Sequence, residues 1–277
     1  MSVNTWHPAG HNGWCSVNLT PEQFSFRVNN PATEELDFQS ACDYNAQTLY
    51  KDWGNRPLYL GLSGGVDSEL IADVFVRNQI PFVPFILKIQ NINDLESWYA
   101  EHWCWRNQMK PVIYHMTMQE FEQDCLPLLA KISNTHQTGI IIPLWMANHV
   151  ASQGGYLITG VGELNWDLHQ QTFYSNTVDY VLNFFDTGKH PSGFFSYTPE
   201  FVLSYIKQFD IALNEQYNKV KFYQVPARPK FNWTSELCSF STKTRIVISA
   251  FIKKFANSQR HEFGDQQTTI KLLKGTS

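Results

Sequence analysis

Apolar residues fall along this chain in short compact runs, separated by longer stretches in which they recur every three or four positions. Pro57-Leu58-Tyr59-Leu60-Gly61-Leu62, Phe82 to Ile89, Pro111 to Met116 and Tyr156 to Gly160 are such runs, bounded by turn residues, and they read as buried strands. Between them, Asp67 to Asn78 carries Leu70, Ile71, Val74 and Phe75 on one helical face. Asp94 to Gln108, Gln119 to Ile132 and Ile140 to Gln153 also have helical spacing, the last interrupted near its start by Pro143. A further helix is expected over Glu34 to Asp52. Strands alternating with helices in this way predict an α/β fold, a parallel sheet with helices on both faces joined by right-handed crossovers.

The flanks read differently. Residues 1–50 look irregular, with turn signals at His7 to Gly13 and at Asn29-Asn30-Pro31 around a short alternating stretch, Phe24 to Val28. From Tyr174 onward the pattern is mostly helical, with one helix from Pro199 to about Asn218, another from about Thr242 to Phe255, and a polar tail. The expected organisation is an N-terminal extension (1–50), an α/β core (51–172) and a mostly helical C-terminal part (173–277).

Composition narrows the class of function. With 43% apolar and 17% charged residues, the 277-residue chain can bury a sizeable core and is no disordered tail. A net charge of -4 supplies no overall field toward nucleic acid, so a small-molecule substrate is the expected partner. Lys and Arg are denser between Lys219 and Lys254, most of them read as a solvated face. Cys15, Cys42, Cys104, Cys125 and Cys238 have no C-x-x-C spacing, which argues against a zinc or redox motif. Cys104 and Cys238, the pair a sulfur-transfer enzyme would need, are expected to be buried small hydrophobes instead. His7, His11 and Cys15 fall at every fourth position, but Pro8, Gly10 and Gly13 forbid the helix that would turn them into a metal face. No secretory leader and no apolar run of roughly 18 residues occurs, so a cytoplasmic protein without a membrane span is expected.

The chemistry sits in Leu62-Ser63-Gly64-Gly65-Val66-Asp67-Ser68, between a predicted strand and a predicted helix. The glycines let the backbone turn tightly and approach a ligand without Cβ atoms in the way. The helix then points unpaired N–H groups and its positive dipole end at an anion, with the Ser63 and Ser68 hydroxyls beside them. A bare anion would be repelled by Asp67. A phosphate bridged by a divalent metal would not, which makes Asp67 a candidate metal ligand and catalytic residue.

Ser63-Gly64-Gly65-Val66-Asp67-Ser68 resembles the Ser-Gly-Gly-x-Asp-Ser signature of the PP-loop, or N-type, ATP pyrophosphatases, whose members include the synthetase domain of asparagine synthetase. No Gly-Lys-Ser/Thr follows, so it is not a Walker A loop. The resemblance covers roughly Asn55 to Asp167; in style the chain is also similar to PP-loop proteins of tailed phages. It implies ATP and Mg²⁺ as cofactors, and cleavage of ATP to AMP and pyrophosphate with a substrate adenylated for amidation or a similar substitution. Residues 62–68 would hold the phosphates, and the adenine would lie against the strand around Leu87. Leu157-Ile158-Thr159-Gly160-Val161-Gly162-Glu163 looks like the family's fourth strand and turn, implying phosphate contact near Gly160 and a second metal ligand in Glu163. Leu164-Asn165-Trp166 stands where the family carries an acidic pair, which leaves Asp167 as a further candidate. Related enzymes add a basic residue from the C-terminal part: Lys230, behind Pro229, in a catalytic role, with Lys243 and Arg245 as further phosphate ligands. No glutaminase domain fits in residues 1–50, so an amidating member would need free ammonia or a separate ammonia-supplying partner. Two other functions stay open: a tRNA- or nucleobase-modifying enzyme of the same kind, and a nucleotide-binding module without turnover.

Overall fold

A computed structural model describes residues 6–19, 24–90, 92–131, 141–175, 192–209, 219–220, 222–226 and 261–276. Five parallel strands form its centre: β4 (Leu58–Gly61), β5 (Val83–Ile89), β6 (Val112–Met116), β7 (Tyr156–Thr159) and β10 (Ser192–Gly193). Their spatial order is β10-β7-β4-β5-β6. The chain therefore winds outward from β4 through β5 to β6, returns to β7 on the other side of β4, and adds β10 beyond it. The strand order reverses between β4 and β7, and a crevice opens at the carboxyl ends of two strands whose connections leave in opposite directions.

Alternation along the strands divides the core between the two faces of the sheet. Leu58, Leu60, Ile86 and Ile158 join the larger cluster with residues of α1 (Phe38–Trp53), α2 (Val66–Arg77) and α3 (Asp94–Arg106). Phe85, Leu87, Ile89 and Leu157 point the other way, against a helix over Ile141–Ser152. The result is the expected parallel sheet flanked by helices on both faces. Asp37 starts α1, accepting the Ser40 amide at 3.0 Å. Pro143 lies in the first turn of its helix, where the missing N–H is one that would have no partner anyway.

Several elements differ from the sequence reading. Before α1, where the sequence reads as irregular, the described residues include β1 (His7–Ala9), β2 (Cys15–Leu19) and β3 (Phe24–Val28), which make a three-stranded antiparallel sheet. Its turns were visible, but the tertiary contact that holds it was not: Trp14 is 2% exposed and donates from Nε1 to the Ser196 carbonyl at 2.9 Å. The helix expected over Gln119 to Ile132 is broken into one α-turn (Met118–Glu120), a π-turn (Phe121–Cys125) and a 3₁₀ segment (Leu126–Lys131), because Pro127 removes an amide from the ladder. Across the expected boundary between core and C-terminal part, β8 (Asn165–Asp167), β9 (Thr172–Ser175) and β11 (His261–Gly264) form a second antiparallel sheet in the order β11-β9-β8. The expected polar tail is thus a strand followed by a helix, Gln266–Leu273, capped by Asp265. The helix from Pro199 is described to Gln208 and packs on α1, with Thr198 as N-cap. The helix expected over Thr242 to Phe255 lies outside the described residues. Among the described residues no helix is long and apolar enough to cross a membrane.

Candidate active site

β4 ends at Gly61, and the chain turns through Ser63-Gly64-Gly65 into α2 at the switch point of the sheet. Gly64 has φ +85°, and a Cβ there would sit 1.9 Å from the Glu96 carbonyl oxygen, so the turn is pressed against the first turn of α3 and only glycine fits. The loop is braced from inside. Ser68 Oγ donates to the Gly65 carbonyl at 3.0 Å and accepts the Ser63 amide at 3.2 Å, and the Ser63 and Ser68 hydroxyls lie 3.2 Å apart. Gly65 is the N-cap of α2 and offers no side chain to the first turn. Among the described residues, the amides of Val66, Asp67 and Ser68 therefore meet no protein acceptor, the arrangement that favours an anion.

Gly160, at the end of β7, closes the other side of the crevice. A Cβ there would come within 3.2 Å of both Asp67 Cβ and the Ser68 nitrogen, so the strand end touches the α2 terminus through backbone. Between these walls lies a cleft of about 250 Å³. One side is apolar, formed by Leu87, Ile89, Met146 and Val161; the other carries Ser63, Ser68 and Asp67. Such a cleft suits a flat apolar ring carrying an anionic tail. On β5, the Asn93 side chain accepts the Ile89 amide at 2.8 Å and donates to the Leu87 carbonyl at 2.7 Å, so two backbone groups on the ring side already have a partner.

The charged groups gather at the mouth. Lys219 hydrogen-bonds Glu163 and stands with its Nζ 3.4 Å from Asp67 Oδ1. Its side chain is only 14% exposed. Burial by itself would lower its pKa, but the charges of Glu163 and Asp67, together with the hydrogen bond to Glu163, outweigh that and raise it well above the ordinary lysine value. The ammonium stays charged. Asp67 Oδ1 is buried without a hydrogen bond, and Tyr223, whose hydroxyl is likewise buried without one, lies close enough for both carboxylates to raise its pKa beyond the effect of burial.

Two hard carboxylates facing one cation, each with a buried oxygen that accepts no hydrogen bond, fit a divalent metal that takes its remaining ligands from phosphate and water. Among the described residues no group of three His, Cys, Asp or Glu could hold a metal by itself. Lys219 Nζ now lies beside both carboxylates, within reach of the position such an ion would take.

Of the residues singled out in the sequence, 62–68, Leu87, Gly160 and Glu163 all come together around this cleft and its mouth. Asp167 does not. It ends β8 and accepts the amides of His169 and Gln170 at 2.8 and 2.9 Å, a turn-capping role. Lys230, Lys243, Arg245 and Cys238 lie outside the described residues. Cys104 is buried, with its thiol pKa raised to about 11 by burial and by Glu101. Cys15, also buried, donates to the Ala9 carbonyl, while His11 pairs with Asp52 at 2.5 Å. The residue that sequence reading missed is Lys219. It stands at the head of a lysine-rich segment read as a solvated face. The signal was its neighbourhood: Val220, Phe222 and Tyr223 are apolar, and a lysine in such a run is drawn inward with them.

No protein-family model and no curated protein matches the chain. Among solved structures it is similar to NMN synthetase from Francisella tularensis, with 12% identity and a TM-score of 0.41 over 81% of this chain and 96% of that one. It is similar also to the ammonia-dependent NAD synthetase from Campylobacter jejuni, at 15% identity and TM-score 0.36 over 80% and 96%. Glutamine-dependent NAD+ synthetase from Acinetobacter baumannii matches at 12% identity and TM-score 0.40, over 82% of this chain and 46% of that one.

Proposed function

We propose that this protein is an ATP pyrophosphatase of the PP-loop kind, which cleaves ATP to AMP and pyrophosphate while adenylating a small-molecule substrate. The observation that carries this reading is the junction of β4 and α2. A glycine loop with three unengaged amides opens at the switch point of the sheet, with Asp67 beside it and an apolar wall opposite. A nucleotide has the matching parts, a flat base and an anionic chain.

In this reading an oxygen of the substrate attacks the α-phosphorus, the bond from that phosphorus to the bridging oxygen of the β-phosphate breaks, and pyrophosphate leaves. The amides of Val66, Asp67 and Ser68 hold the departing oxygens, and Ser63 and Ser68 keep the loop in shape for them. Asp67 and Glu163 would hold Mg²⁺, which when bound neutralises the phosphates. Lys219 supplies a permanent positive charge at the mouth, the role that the resemblance suggests for a C-terminal basic residue. Leu87, Ile89 and Met146 form the seat for the base. Catalysis then rests on positioning and charge neutralisation rather than on a side-chain nucleophile.

A specific observation favours a second reading. Because Lys219 is already seated between Asp67 and Glu163, the site is also compatible with a nucleotide-binding module that uses no metal. Incubation with ATP, Mg²⁺ and pools of candidate acceptors, followed by identification of the nucleotide product, separates the two. AMP and pyrophosphate from the wild type and none from Asp67→Asn is the expected result. ADP and phosphate would overturn the reading, and ATP binding without any product would leave the module.

A further inference from the structure

β4 and β5 separate at the cleft, and one side chain fills the place where they do so. Beyond the pairing of Gly61 with Phe85, the Leu62 amide donates to the Phe85 carbonyl at 2.9 Å, and the chain then leaves for the glycine loop. β5 runs on to Ile89. Successive residues of a strand turn their backbone groups to alternate edges, so Leu87 and Ile89 face the same edge as Phe85. On that edge the neighbouring strand has gone. Asn93 stands in its place, donating from its side chain to the Leu87 carbonyl at 2.7 Å and accepting the Ile89 amide at 2.8 Å. All three residues line the cleft.

Two features set this contact apart from an ordinary turn. Asn93 is the N-cap of α3, a position where asparagine usually accepts an amide of the first helical turn, yet its side chain makes no such bond. The carboxamide is turned to the strand edge instead. The second feature is the pattern it satisfies. A carbonyl and an amide side by side on one edge are met by a donor next to an acceptor in a single plane. A carboxamide has that pair, and so does adenine, whose 6-amino group adjoins a ring nitrogen that accepts. Guanine and hypoxanthine present the reverse, a 6-oxo acceptor beside a ring N–H donor. Either would set oxygen against the Leu87 carbonyl and N–H against the Ile89 amide.

We infer that Asn93 is a resident stand-in for adenine, a specificity-determining residue that holds the base-reading edge of β5 and swings aside when ATP seats its base there. The inference rests on the reading of the cleft as an ATP site and adds a gate to it. Binding then draws only on the molecules in which the edge is open, and the apparent affinity falls by that fraction. Adenine regains both bonds that the side chain gives up. A 6-oxo purine regains neither and leaves the strand edge unsatisfied, so the side chain turns the difference between bases into a difference in affinity.

Titration calorimetry with ATP, inosine triphosphate and inorganic tripolyphosphate, each with Mg²⁺, tests this on the full chain and on Asn93→Ala. Removing the carboxamide should tighten ATP about tenfold, the order expected when a competing pair of hydrogen bonds is lost, and leave the other two ligands within about twofold. The ratio of ATP to inosine triphosphate affinity reads the effect even if the substitution loosens the cleft, because both nucleotides share the phosphate end. A ratio that stays the same or falls in Asn93→Ala overturns the inference. A second measurement needs no variant of altered stability: in the NMR spectrum of the isotope-labelled wild type, the Asn93 side-chain NH₂ signal should move with ATP and stay with tripolyphosphate. A signal that bound ATP leaves in place overturns the inference as well. The two failures are distinguishable. If the wild type binds tripolyphosphate but no nucleotide, or none of the three ligands, the ATP reading falls and the gate with it; if ATP binds with ratio and signal unmoved, only the role of Asn93 falls.

Discussion

Lys219 Nζ stands 3.4 Å from Asp67 Oδ1 while hydrogen-bonding Glu163, so a single ammonium is shared by two carboxylates that the chain delivers from the α2 terminus and from the turn after β7. Removing one partner of such a buried group leaves the others uncompensated, which typically costs about 3–5 kcal/mol. Lys219→Met is therefore expected to lose stability of that order in urea unfolding without divalent ions. Because an added ion could take the place of the ammonium, Mg²⁺ should restore much of that loss in the variant and add little to the wild type. AMP formation, if the proposed reaction holds, should fall by about 10²–10³, as for removal of a preorganised charge-stabilising donor. A variant that is destabilised yet indifferent to Mg²⁺ would show that the ammonium and the cation do not share a place.

Gly64 gives a prediction about backbone space. At φ +85° with a Cβ position 1.9 Å from the Glu96 carbonyl, alanine meets both an unfavourable backbone region and a rigid neighbour. The backbone term is about 1–2 kcal/mol and overpacking adds about 1–3 kcal/mol. Gly64→Ala should thus unfold about 2–5 kcal/mol more easily, with nucleotide binding weakened beyond what the stability loss explains. Gly154→Ala is a suitable comparison, since it too has a positive φ, +76°, but no atom within 4 Å of the added methyl. Its loss should stop at the backbone term.

How much of this was legible in the sequence follows from the range of the forces involved. The strands of the central sheet and the helix after the glycine loop are fixed by local apolar spacing, and β4, β5, β6 and β7 lie within a residue or two of where that spacing puts them. Asp67, Gly160 and Glu163 were legible because a motif keeps them at fixed offsets from such strands. The N-terminal sheet was not. Its strands are short, and what holds them is a burial partner, Ser196, in a distant part of the chain. Lys219 was missed for the same reason, since its partners Asp67 and Glu163 lie elsewhere in the sequence and only the fold brings the three charges together.

The dependence of the N-terminal sheet on that distant contact can be measured. Trp14 is 2% exposed, meets Phe26 edge-on with ring centroids 5.8 Å apart, and donates to the Ser196 carbonyl. Trp14→Ala should cost about 3–5 kcal/mol, the range for large-to-small changes in a core. Trp14→Phe keeps much of the volume and leaves the Ser196 carbonyl without its donor, so it should cost less. If Trp14→Ala unfolded within about 0.5 kcal/mol of the wild type, the ordinary range for surface substitutions, residues 6–28 would contribute nothing to the core.

Asp73 carries the pH prediction. Its Oδ1 accepts the indole N–H of buried Trp103 at 2.8 Å. Burial raises its carboxyl pKa, and the lowering effects of that hydrogen bond and of Arg106 and Arg77 do not cancel it. The sign follows from linkage. A folded-state pKa above the unfolded value of about 3.9 means that the folded protein holds the proton more tightly, so this group favours folding at low pH and progressively opposes it as pH rises past that value. Asp73→Asn removes the buried charge while keeping a carbonyl for Trp103, and should be more stable than the wild type at pH 7, with the gain shrinking as the pH falls toward 3.9. Asp73→Ala removes the acceptor as well and leaves a buried indole N–H unsatisfied, which costs about 1–3 kcal/mol and should outweigh the benefit. Denaturant midpoints of the three proteins at neutral and acid pH decide the matter: an Asn variant less stable than the wild type at pH 7 would mean that the negative charge itself, held by Arg106 and Arg77, is what the fold requires at this position.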